Sequence, residues 1–284
     1  IRNVAIVAHV DHGKTTMVDG LLKQSNTFRH NQAEMAQHLI MDSGDQESER
    51  GITITAKLTA VDYHDYKINI IDTPGHADFS SEIERTLNMA DGVLLIVDAQ
   101  EGVMPQTKFV LSKALQMGLR PVVVINKIDK PGRDIARVED GLSDLFLELA
   151  TDEAQLQYPI YYAIGREGKA WAEMPADSSV EADLTPLFEA IVHQIPAPKV
   201  AGDGEFQLQV SALDYDNFLG KYAIGRIHRG QVKVNDQVML IASDGSTKKV
   251  KIDKVFEFKG LNKVEVSEAH AGQIVALVGA GDAK

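Results

Sequence analysis

Five short apolar runs fix most of what this chain can become. They are NVAIVA (3–8), KINIID (67–72), VLLIVD (93–98), PVVVIN (121–126) and PIYYAI (159–164). Each is apolar at consecutive rather than alternate positions. A strand with one wet face alternates, whereas a strand covered on both faces does not. The runs therefore predict parallel strands between two layers of helix. Amphipathic segments separate them. Ile83, Leu87 and Ala90 share one helical face, and Val138, Leu142, Leu145, Phe146 and Leu149 share another. Thr185-Pro186 before LFEAIVHQI supplies an N-cap residue and a proline at the first helical position. Strand, helix and strand in series predict an α/β fold with a mainly parallel sheet. AKLTAVDY (56–63) reads as an edge strand that turns at His64-Asp65 and pairs with 67–72.

The pattern changes after IPAPKVAGDGE (195–205), a stretch rich in proline and glycine. Beyond it FQLQVSAL, YAIGRIHRG, QVMLIAS, KKVKIDKVFEF and GQIVALVG read as strands, and SDG (243–245) as a tight turn. No helical period appears there. A small antiparallel β-barrel is expected. The predicted domains are 1–197 and 198–284, the second truncated at its C-terminal end.

Hydrophobic residues make up 44% of the 284 and charged residues 25%, an ordinary globular composition. No apolar run approaches the ~18 residues of a membrane span. The start lacks the regions of a secretory signal and an initiator Met, as expected of a trimmed chain. The absence of cysteine excludes disulfides and thiolate metal sites, and fits a reducing compartment. A net charge of −12 disfavours nonspecific nucleic-acid binding. The charge is uneven: 139–205 is acidic, while 221–263 carries many Lys and Arg.

AHVDHGKTT (8–16) follows the first strand and opens a helix. A phosphate-binding loop needs that placement, because backbone N–H groups and the helix N-terminus then converge on an anion. Lys14 would reach the β- and γ-phosphates, and the Thr15 hydroxyl would bind Mg2+. Ala8 replaces the first glycine of G-x-x-x-x-G-K-[ST]. Gly13 keeps the stricter one, where the chain passes closest to phosphate. His9, Asp11 and His12 also suggest a metal cluster, but they lack the spacing of a helical ligand pair. An ordinary polar turn is the bland alternative.

Three further segments suit the same ligand. INIIDTPGHADF (68–79) ends a strand in Asp72, suited to an indirect Mg2+ contact; Gly75 offers an N–H to the γ-phosphate and His76 projects toward the nucleotide. NKID (126–129) brings Asp129, whose carboxylate can accept from guanine N1–H and N2–H2, with Asn126 at the base edge and the Lys127 stem over its face. ERGITI supplies Thr53 to complete the Mg2+ shell, after a long polar segment, 25–50, of the kind that orders around a γ-phosphate. In YYAIGREG, Ala163-Ile164-Gly165 stands where a backbone N–H would touch guanine O6.

Together AHVDHGKTT, RGITI, DTPGHADF and NKID resemble the translational GTPases, relatives of elongation factors Tu and G. MDSGDQESERGITI, EGVMPQTKFVLSKAL and DLFLEL resemble the BipA/TypA-type branch. FQLQVSALDYDNFLGKYAIGRIHRG resembles the family's second, β-barrel domain. The likeness covers nearly the whole chain. It implies a cytoplasmic, monomeric GTPase, independent of membranes. Such a protein binds the ribosome, uses Mg2+ and hydrolyses GTP to GDP and phosphate slowly until the ribosome stimulates it. It also implies that Asp11, His12, Gly13, Lys14, Thr15 and Thr16 bind phosphates, that Thr15 and Thr53 ligate Mg2+, and that Asn126, Lys127 and Asp129 read guanine. His76 would orient the attacking water, flanked by Val10 and Ile52. Two departures stand out. Ile164-Gly165 replaces the usual Ser-Ala, and the family continues beyond Lys284 through domains that dock on the ribosome. A nucleotide-controlled ribosome-binding module and a LepA-type factor are the alternatives; MPQT argues against the latter.

Overall fold

The computed structural model describes residues 1–25, 57–73, 80–201, 204–216 and 218–281. They fall in two compact units, Arg2–Pro196 and Ala197–Lys284, the latter joined by Ile1.

All five apolar runs form strands of one sheet. β1 (Arg2–Ala8), β3 (Tyr66–Asp72), β4 (Gly92–Asp98), β5 (Arg120–Asn126) and β6 (Ile160–Ile164) are its interior. β2 (Lys57–Tyr63) and β7 (Lys169–Trp171) are its edges, in the order β2-β3-β1-β4-β5-β6-β7. Neighbours from β3 to β6 pair in parallel, and the two edges pair antiparallel. β2 turns into β3 through His64, whose φ is 49°. β7 has three residues and no apolar run, so nothing in its sequence marks it.

The helices are α1 (Lys14–Gln24), α2 (Ser80–Leu87), α3 (Pro105–Gln116), α4 (Ile135–Leu149) and α5 (Thr185–Gln194). Met17, Leu21 and Leu22 from α1 and Leu187, Phe188 and Ile191 from α5 share a core with Val4, Ile6, Ile70, Leu94 and Ile96. At α5 the cap differs from expectation. Thr185 is already helical, and its N–H is held by Asp183 Oδ1 at 2.8 Å. The N-cap position is Leu184, which supplies no side-chain cap, and Pro186 stands in the first turn.

The register positions the site. Ile6 pairs with Asp72, Asp98 with Asn126, and Asn126 with Ala163. The polar residues that end three parallel strands therefore reach one edge. In open α/β sheets ligands bind beyond the carboxyl ends of the strands.

The second unit is built of antiparallel strands. β8 (Gln207–Asp216), β9 (Gly220–Arg229), β13 (Lys254–Lys259), β14 (Asn262–Val266) and β16 (Ile274–Val278) form a sheet in the order β14-β13-β16-β9-β8. β10 (Gln231–Lys233) pairs with β15 (Glu268–His270), and β11 (Gln237–Ile241) with β12 (Thr247–Lys251). The run KKVKIDKVFEF, read as one strand, is two. Ile252 turns fully into the core and the Asp253 N–H bonds the Val278 carbonyl, so β12 ends and β13 begins.

Leu94 lies at the centre of the sheet with no exposure, and Leu147 is 68% exposed on α4. Leu94→Ala is expected to cost about 2–5 kcal/mol in denaturant unfolding, and Leu147→Ala less than about 0.5 kcal/mol. Equal effects would contradict this layering.

Candidate functional site

The loop from β1 to α1 is held by conformation first. Ala8 closes β1 opposite Ile96, so the chain leaves the strand there without needing a glycine. Asp11 and Gly13 lie in the left-handed region, at φ 65° and 94°. At Gly13 a Cβ would also fall 2.5 Å from Asn126 Nδ2. Two independent constraints therefore require glycine at this position.

Asn126 is the centre of the edge. It is 2% exposed at the end of β5. Its Nδ2 donates to the His12 carbonyl at 2.9 Å, and its Oδ1 accepts the Gly165 N–H at 2.9 Å. One amide thus ties the β1–α1 loop, β5 and the turn after β6. A primary amide also carries a second N–H. Asn126 was expected only at a base edge; its structural bonds join that expectation.

Lys127 follows with φ 62°. Its ammonium donates to the Asp11 carbonyl and lies 2.8 Å from Asp98 Oδ2. Asp98 is fully buried, with Lys130 Nζ at 3.4 Å. The N–H groups of Gln100 and Glu101 bond its other oxygen at 2.7 and 3.2 Å. Burial raises the Asp98 carboxyl, but Lys127 and these N–H groups outweigh it and hold it down at about 2.

His12 is buried within the loop. Its N–H bonds the His9 carbonyl at 3.1 Å, and its ring is fully buried. Nδ1 lies 3.3 Å from the Asp98 N–H and 3.4 Å from the Ile96 carbonyl, and Nε2 lies 3.3 Å from Glu101 Oε2. Nδ1 accepts the Asp98 N–H, whereas Nε2, though near Glu101, makes no hydrogen bond among the described residues. Burial pushes its pKa below the ordinary 6.5. The His12 ring braces the loop from inside.

At the other end of the loop, Lys14 is buried at the start of α1. Its Nζ lies 3.0 Å from Asp72 Oδ1 and donates to the Thr73 carbonyl. The Thr73 hydroxyl in turn bonds the Ile6 carbonyl at 2.7 Å. Thr15, half-buried, is in the same first turn. A buried carboxylate and a hydroxyl are hard oxygen donors, the set that suits Mg2+. Ile52, Thr53, Gly75 and His76 lie outside the described residues.

Between these loops is a cavity of about 230 Å³. Gly13 and Thr16 form one wall, Asn126, Lys127, Asp129 and Lys130 a second, and Ile164, Gly165 and Arg166 the third. It is smaller than the ~300–1,000 Å³ of whole-ligand sites and suits one flat heterocycle. Ala163, expected here, does not line it. Ala163 is fully buried in the β6 ladder, and its carbonyl accepts the Ile128 N–H at 3.3 Å. Gly165 packs where a Cβ would stand 3.2 Å from Asn126 Oδ1. Asp129 Oδ2 lies 2.9 Å from Arg166 Nη2. Asp98, Lys130 and Arg166 were missed in the sequence. Asp98 carried a signal, since it ends an apolar run as Asp72 does; Lys130 and Arg166 carried none.

Asn126→Ala leaves the buried His12 carbonyl and Gly165 N–H without their partner. It is expected to cost on the order of 2–4 kcal/mol in unfolding free energy. Neutral burial of His12 makes the unfolded chain bind more protons below its ordinary pKa. Stability should therefore be complete above pH 6.5 and fall as pH drops below it. Asp98 adds a second loss as pH falls from 3.8 toward about 2. His12→Gln should flatten unfolding midpoints between pH 6.5 and 5; an unchanged slope would refute the assignment.

Residues 1–197 match the family described as elongation factor Tu GTP binding domain, and 220–284 match elongation factor Tu domain 2. The chain is similar to the large ribosomal subunit assembly factor BipA of Synechocystis sp., at 54% identity over 100% of this chain and 47% of that protein. The factor of the same name from Escherichia coli K12 is 52% identical over 99% of this chain and 46% of its own length. The chain thus spans about half the length of these relatives. The crystal structure of bacterial selenocysteine-specific elongation factor EF-Sec superposes with a TM-score of 0.72. That likeness covers 99% of this chain and 42% of EF-Sec at 24% identity, and speaks for the fold alone. With the family model matched over most of its length, the chain belongs to the elongation factor Tu-type GTP-binding domain family, with that family's second domain following.

Proposed function

We propose that this chain binds GTP and GDP through its first domain, 1–197, with 198–284 as its second. It hydrolyses GTP to GDP and phosphate, slowly by itself and faster on the ribosome. The observation that carries the reading is the cavity in which Asp129 and the Asn126 amide face the same space as Gly13 and Thr16. A carboxylate accepts from guanine N1–H and N2–H2 together, and adenine has no such pair of donors. The Asn126 amide retains an N–H for the base, and the Lys127 stem supports it.

Phosphate would compete with Asp72 for the Lys14 ammonium, now 3.0 Å from that carboxylate. Backbone N–H groups of Asp11, Gly13, Thr15 and Thr16 complete the cradle at the α1 N-terminus. Thr15 and Thr53 would hold Mg2+, with Asp72 through water. When bound, that ion neutralises charge on the phosphate oxygens. Water attacks the γ-phosphorus in line as the bond to the bridging oxygen breaks. His76 positions that water, and Gly75 gives an N–H to the γ-phosphate. Little covalent chemistry falls to the protein; preorganised charge does most of the work.

The ribosome as partner follows from the names of the relatives. No helix among the described residues is long and apolar enough to cross a membrane. We take the protein to act as a monomer in the cytoplasm.

Titration with GTP, GDP and ATP tests the reading. Guanine nucleotides should bind and ATP should not. Lys14→Ala should weaken GTP binding on the order of 10- to 100-fold, the worth of a charge-assisted contact. Asp129→Asn should move preference from guanine to xanthine. Full GTP affinity in Lys14→Ala would sink the assignment. His76→Ala should keep GTP binding and lose the ribosome-stimulated rate.

A further inference from the structure

Asp129 is held by a residue outside NKID. Arg166 Nη2 lies 2.9 Å from Asp129 Oδ2, and both line the cavity. The Asp129 side chain is 18% exposed and that of Arg166 72%. The backbone beneath the arginine is fixed at both ends. Gly165 donates to Asn126 Oδ1 at 2.9 Å, and the Gly168 N–H closes the turn on the Gly165 carbonyl at 3.1 Å. The Gly168 carbonyl accepts Gln24 Nε2 at 2.8 Å, which ties the turn to α1. The guanidinium meets the carboxylate through one nitrogen, which also lies 3.8 Å from Glu167 Oε1, so it restrains the carboxylate from one side.

We propose that Arg166 is a positioning residue for base recognition, holding the Asp129 carboxylate in the orientation that takes two hydrogen bonds from one purine. The proposal rests on the guanine reading of the cavity. A carboxylate has about four acceptor sites, so a guanidinium on one oxygen leaves room for both purine donors. A carboxylate free to rotate still meets one donor well but pairs with two less often. The arginine thus matters most for a purine with N1–H and a 2-amino group. It matters less for hypoxanthine, which lacks that amino group. Because the pair is exposed, the effect is modest.

The test is titration of the full chain with GDP and inosine diphosphate, for the parent, Arg166→Ala, Arg166→Lys, Asp129→Asn and the Asp129→Asn/Arg166→Ala double variant. Arg166→Ala should weaken GDP about two- to five-fold, the scale of an exposed ion pair. It should weaken inosine diphosphate less, so that the GDP preference shrinks. Arg166→Lys should recover part of the affinity and less of the preference. In the Asp129→Asn background, removing Arg166 should change nothing further. An unchanged preference in Arg166→Ala, or an equal loss in both backgrounds, overturns the proposal. If Asp129→Asn binds GDP as the parent does, the guanine reading fails and this proposal falls with it. A general disturbance of the fold would lower both affinities together and leave their ratio intact.

Discussion

One buried amide organises the ligand edge of this protein. Asn126 bonds the His12 carbonyl and the Gly165 N–H, so two loops far apart in sequence share one side chain. Its place is set by the parallel sheet, whose register brings β4, β5 and β6 to a common end. Glycine is demanded on one side of it and fits tightly on the other. Gly13 has the left-handed φ and no room for Cβ, and Gly165 would crowd the amide oxygen. The apolar runs build the sheet, the sheet places Asn126, and Asn126 places the loops.

Charge is arranged along the same edge in cation–carboxylate pairs: Lys14 with Asp72, Lys127 with Asp98, and Arg166 with Asp129. In a chain of net charge −12, each of these cations is locally neutralised by a carboxylate. The buried pair at Asp98 differs from the exposed one at Asp129. Removing one partner of a buried pair leaves a desolvated charge, whereas a pair whose arginine is exposed is screened and contributes little.

Much of this was legible in the sequence, for a physical reason. Continuous apolar runs are dictated by burial on both faces, and the five that show it are the five interior strands. Ala8 was readable as a strand end. Contacts between distant segments were not. The Asp129–Arg166 pair depends on where two loops meet, and no spacing encodes that. Ala163 was misplaced by one strand residue: it sits in the ladder, and the loop that reaches the cavity begins at Ile164. The His12 ring is fully buried under the loop, a place that its polar type in a polar motif does not announce. In the second unit, KKVKIDKVFEF hid a break because Ile252 is apolar on both readings. Short strands such as β10 and β15 carry too few residues for a period to show.

The most direct test is a crystal structure of the protein with GDP and Mg2+. The account predicts the base in the cavity, with N1 and N2 on the Asp129 carboxylate. The Asn126 bonds to His12 and Gly165 should be retained, and Lys14 should have moved from Asp72 to the phosphate. A base bound elsewhere, or an Asn126 amide released from those two loops, would contradict it.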